Sequence, residues 1–177
     1  ELNMPALALT DHGNMFGVLN FEHICHANGI NPIFGCEFYV TETDHKVQER
    51  TKYGGKYYHL ILLCENETGY KNMSWLCSNA YTEGLHYGKP NIDFEMLKER
   101  HEGLICLSAC IQGQVPQALL HDDDEWAEEV ARKYADLFGP DHYYIELQDH
   151  GLPDQKIAAE KMIKLAEKLN LPLVVTN

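Results

Sequence analysis

The chain has 177 residues, with 27 acids against 14 lysines and arginines, a formal charge of −13 with histidine neutral. That balance excludes a module that coats nucleic acid through a basic face, though not an enzyme whose metal ions supply positive charge locally. An apolar fraction of 45% excludes a disordered chain, and no apolar run approaches the ~20 residues of a membrane span.

The chain opens on Glu1-Leu2-Asn3-Met4-Pro5, which reads as a helix tail and its loop, and closes on the apolar run Leu173-Val174-Val175-Thr176-Asn177. We expect a piece of a longer protein, forming a single domain over residues 1–177. Candidate strands lie at 6–11, 31–40, 57–65, 103–108, 143–148 and 173–177. They are short apolar runs rather than clean alternations, as expected when helices cover a sheet or strands line a barrel.

Candidate helices fill the gaps. One runs over 14–28 and is stopped by Gly29; another runs over 68–83 and is stopped by Gly84. Asp93 can cap a short helix over 94–100. Asp122, Asp123 and Asp124 lead a helix over 125–138, and their charge suits a helix N-terminus. A helix over 154–169 carries Ile157, Met162, Ile163, Leu165, Ala166 and Leu169 on a broad apolar face. The βα alternation predicts a parallel α/β architecture, either an open sheet or a barrel. The polar segment 41–56 reads as a mobile loop.

In parallel α/β folds, functional residues collect at the carboxyl ends of strands. The strand boundaries here carry Asp11-His12, Glu37, His59, Cys110 and Asp149-His150. These residue types bind borderline divalent metals such as zinc, manganese or iron. An alternative pairs Asp11-His12 with Cys110 as a nucleophile, but nothing in the sequence singles that thiol out for activation. Neither glycine-rich phosphate-binding fingerprint is present. Six cysteines without a CxxC pair read as reduced thiols in a cytoplasmic protein, most of them small core residues. Trp75 and Trp126 read as packing residues, and the remaining histidines, His45 among them, as surface residues.

Several segments then carry a resemblance. They are Met4 through Asn14, Pro32-Ile33-Phe34-Gly35-Cys36-Glu37-Phe38-Tyr39, Glu67 through Asn72, Lys89 through Asp93, Glu102 through Gly113, Glu146 through Gly151 and Leu171 through Asn177. Together they resemble the polymerase-and-histidinol-phosphatase (PHP) domain family, in the form found at the amino end of bacterial DNA polymerase III alpha subunits. The resemblance implies a distorted (β/α)7 barrel, cut at both ends here, with up to three metals (Zn, Mn or Fe) at one rim. It implies that His12, Glu37, His59 and Cys110 are metal ligands, and that Asp11, His12 and Glu37 serve catalysis, Asp11 as a positioning group beside His12. Asp149 and His150 are weaker candidates for substrate binding. The family's first strand, with a His-x-His pair, is expected before Glu1, and an Asp-x-His just after Asn177.

The implied activity is metal-dependent phosphoester hydrolysis, as a 3′-5′ exonuclease that proofreads, or else a non-catalytic docking role for a separate proofreading exonuclease subunit. For the parent protein the resemblance implies DNA-directed nucleotidyl transfer with magnesium. It also implies a DNA primer-template and replicase partners such as a sliding clamp, with no membrane. A stand-alone small-molecule phosphatase is a third possibility.

Overall fold

The computed structural model describes residues 3–86 and 88–177. β1 (Ala6–His12) and β2 (Asn31–Val40) are parallel neighbours, connected through α1 (Val18–Ala27). β3 (Tyr58–Cys64) runs antiparallel to β2. α2 (Glu67–Thr82) leads to the short β4 (Leu85–His86) and β5 (Lys89–Ile92); β5 lies parallel to the end of β2 through Tyr39–Asn91 and Val40–Ile92. After α3 (Phe94–Arg100) comes β6 (Leu104–Leu107), antiparallel to β3. α4 (Gln114–Leu120) and α5 (Asp124–Phe138) precede β7 (Tyr143–Leu147), and α6 (Pro153–Leu169) precedes β8 (Leu173–Val175); these last two strands extend the sheet in parallel.

The sheet order is β4-β5-β2-β3-β6-β7-β8, with β1 also on β2. This corrects the expectation of a wholly parallel sheet. Segment 41–57 holds no helix to carry the chain back across the sheet, and β3 returns antiparallel to the strand the chain has left. The barrel is not closed here either. Among the described residues β1 pairs only with β2 and β8 only with β7, so the sheet is open. α4, β4 and β5 were not anticipated.

Side chains alternate across the sheet as the pleat demands. Cys36, Phe38, Leu60, Leu62, Leu104, Cys106, Tyr143 and Ile145 face the helices and form the main core. Each such fully buried large side chain contributes about 2 kcal/mol relative to exposure. The opposite face carries a small second cluster of Ile61, Leu107 and Ala109. All six cysteines are free, and Trp75 and Trp126 pack against the core as expected. Where the chain enters α2, a Cβ on Gly69 would stand 1.8 Å from the Gly103 carbonyl oxygen, so only glycine allows that approach. Asp93 caps α3 by accepting the Met96 N–H at 2.9 Å, as its sequence position predicts.

Two expectations fail locally. Ile157 and Ile163 of α6 are exposed, and the buried stripe instead follows Ala158, Met162, Leu165 and Ala166. The segment after β2 is tied down rather than free-standing. Thr41, His45 and Thr51 are buried, Lys52 pairs with Asp123 at 2.7 Å, and the Tyr53 ring stacks on His121. His45 is therefore not a surface residue. No helix among the described residues is long and apolar enough to cross a membrane.

Candidate metal centre

β1 and β2 end their shared ladder with His12 opposite Glu37. The Gly13 N–H donates to the Glu37 carbonyl at 2.7 Å and holds this register. On the side chains, His12 Nδ1 meets Glu37 Oε2. His12 is largely exposed, while Glu37 is buried. Because β3 runs the other way, its first residues reach the sheet end where β1 and β2 finish. His59 Nδ1 thus lies 3.1 Å from Glu37 Oε1.

Cys110 arrives from the turn after β6. Ala109 adopts a left-handed conformation (φ 64°) and swings the chain back toward β3. The His59 N–H donates to the Gln112 carbonyl at 3.0 Å, and Cys110 Sγ comes within 3.5 Å of His59 Nδ1. Donor atoms of Glu37, His59 and Cys110 all lie within 4.8 Å of one another. The structure therefore gathers His12, Glu37, His59 and Cys110 at one end of the sheet.

Their electrostatics are coupled. Burial raises the Glu37 carboxyl, but the hydrogen bonds and charges of His59 and His12 outweigh it, and the net shift is downward. Burial disfavours a charged His59, yet Cys110 and Glu37 prevail and lift its imidazole to about 9. The field at His59 Nδ1 thus favours positive charge. A carboxylate, two imidazoles and a thiol in that field fit a borderline divalent ion.

Asp11 is not brought to this cluster. Adjacent strand residues face opposite ways, and a Cβ on Gly17 would stand 2.7 Å from Asp11 Oδ2, which places the carboxylate over the start of α1. Asp149 and His150 lie beyond β7 and are exposed. Asp149 accepts the Gly151 N–H, while His150 bonds Gln155 and Asn177. Neither bonds any of the four clustered residues.

Glu146 was not singled out as a site residue. It is 3% exposed, with Oε1 bonded to Thr176 Oγ1 and Gln148 Nε2, and Oε2 is buried without a partner. Burial, helped by the charge of Glu37, moves its carboxyl upward despite these bonds. A glutamate inside the apolar run Tyr143-Tyr144-Ile145-Glu146-Leu147 was the available signal.

Fold and site together describe an α/β domain with a candidate divalent-metal centre at one sheet end. Residues 1–150 match the family model of the PHP domain, and the chain belongs to that family. Among curated relatives, it is 53% identical over 177 residues to DNA polymerase III subunit alpha of Treponema pallidum, covering all of this chain and 15% of that protein. The same subunit of Borreliella burgdorferi is 43% identical over all of this chain and 15% of its own length. That of Thermus aquaticus is 44% identical over 98% of this chain and 14% of its own. The chain thus matches the PHP region of these subunits and spans about one seventh of their length.

Proposed function

We propose that the chain is the PHP domain of a bacterial replicative DNA polymerase alpha subunit, with a metal-dependent phosphoesterase site that trims primer ends as a 3′-5′ exonuclease. The observation that carries this reading is the meeting of His12, Glu37, His59 and Cys110 at one mouth, from four separate elements. In the same reading the open sheet belongs to a distorted (β/α)7 barrel. Its inner face then holds Glu37, His59 and the Ile61 cluster.

His12, Glu37, His59 and Cys110 would hold the ions, as zinc, manganese or iron. Ions held there would supply an acidified water and positive charge opposite the leaving oxygen. Glu37 sits between two imidazoles, which hold its carboxylate in one orientation. His59 gives up its proton on loading, so occupancy depends on pH. Tyr39 and Tyr57 flank the His59 ring and limit its rotation.

In the parent protein, DNA-directed DNA synthesis with magnesium would lie outside these residues. The partners would be a primer-template, a proofreading exonuclease subunit and a sliding clamp, in the cytoplasm; six free thiols agree with a reducing compartment. An acidic domain can serve such a machine if only the strand end reaches the metals.

The test uses the intact subunit without deoxynucleotides, on a primer with a 3′ mismatch. Trimming that is lost in His12→Ala and Glu37→Gln, with polymerisation kept, supports the enzyme. An intact subunit that holds no divalent metal and trims nothing leaves a docking module for a separate proofreading subunit.

A further inference from the structure

A second histidine–carboxylate group lies elsewhere and shares no residue with the centre above. His45, in the segment after β2, is 7% exposed. Its Nδ1 lies 2.6 Å from Asp93 Oδ2, which also accepts the His45 backbone N–H at 3.0 Å. Asp93 Oδ1 is committed to the Met96 N–H at the start of α3. Asp44 Oδ1 stands 3.6 Å from the same imidazole edge.

These contacts assign the ring proton to Nδ1, since two carboxylate oxygens face it. In the neutral imidazole that tautomer leaves the lone pair on Nε2. This nitrogen is buried and has no hydrogen-bond partner. His45 and Glu83 both line a cleft of about 740 Å³ whose walls carry six carboxylates and three lysines. Glu83 Oε2 lies 3.9 Å from His45 Nε2 and is paired to the Lys46 ammonium at 2.5 Å.

A carboxylate on one imidazole nitrogen, with the other nitrogen bare, is the arrangement that orients a histidine toward a metal. We propose that His45 Nε2 and Glu83 bind one further divalent cation of the zinc class, with Asp93 as the positioning residue. Donors 3.9 Å apart can both reach one ion at about 2.1 Å. The open cleft leaves room for water to complete the coordination. Lys46 competes with the cation for Glu83, and its side chain is half exposed and free to leave.

The experiment titrates the intact, chelator-stripped subunit with Co²⁺ and reads absorption and bound-metal stoichiometry. Cobalt at Cys110 gives a thiolate charge-transfer band; cobalt at His45 gives ligand-field bands without it. His45→Gln and Glu83→Gln each remove one equivalent, or weaken it about tenfold or more, and leave the thiolate band intact. Lys46→Gln tightens that same equivalent. This surface change does not depend on the variant at buried His45 folding well. Equal cobalt uptake by wild type, Glu83→Gln and Lys46→Gln overturns the proposal, and His45 is then only a clamp on the α3 cap. Loss of the thiolate band in Cys110→Ser, or its absence throughout, reports on the first centre and leaves this one standing or falling by itself.

Discussion

His59 Nδ1 lies 3.1 Å from Glu37 Oε1, although the β2–β3 ladder pairs Glu37 with Ile61 and His59 with Tyr39. The contact is a diagonal one between antiparallel neighbours, within reach of long side chains on the same face. It exists only because β3 is reversed. In a parallel arrangement His59, at the start of its strand, would stand at the opposite end of the sheet from Glu37.

Removing the charge at the centre of this group should remove the ions. Glu37→Gln leaves the fold in place and lowers divalent-metal affinity by at least about tenfold in the intact subunit, measured by elemental analysis after dialysis. Chelation of the wild type should reproduce the loss of primer trimming, and added zinc or manganese should restore it in the wild type alone. Equal metal content in both proteins would count against Glu37 as a ligand.

In the metal-free protein His59 titrates at about 9, above its ordinary 6.5. A raised imidazole favours the folded state fully below pH 6.5, and that contribution is lost as pH rises through 9. Thermal melts of the stripped protein should therefore fall over this window, and a His59→Asn variant should show a flatter profile. Metal loading runs the other way: calorimetry at neutral pH should detect release of the His59 proton, with affinity rising toward pH 9.

Glu146 gives the opposite dependence. Its folded-state carboxyl is raised, chiefly by burial, so ionising it opposes folding, and stability declines as pH climbs above the ordinary carboxylate range. As pH climbs above that range, the wild type should lose stability relative to Glu146→Gln, read from denaturation midpoints of the two proteins side by side. Parallel pH profiles for the two proteins would refute the assignment.

The turn that delivers Cys110 offers a paired test. A Cβ on Gly113 would stand 2.1 Å from the Ser108 carbonyl oxygen. Gly113→Ala should cost about 1–3 kcal/mol and separate Cys110 from His59. Ala109→Gly, at a left-handed position, should stay within about 1 kcal/mol of wild type. Chemical denaturation and the reactivity of Cys110 toward a thiol reagent read both effects.

Much of the architecture was legible residue by residue. The second strand at 31–40, the third helix at 94–100 and its Asp93 cap match the structure to the residue. Each rests on local signals: an apolar run bounded by turns, or an aspartate placed to accept an N–H three residues on. The four metal-type residues were visible for the same reason, as side chains out of keeping with apolar strand ends. Tertiary structure alone decided the rest. Strand direction, the burial of His45 under α3's cap and the placing of Glu146 on the same sheet face as Glu37 all follow from register between segments distant in sequence. Pairing of that kind is settled by which distant strand lies alongside, and a one-residue shift turns every side chain to the other face.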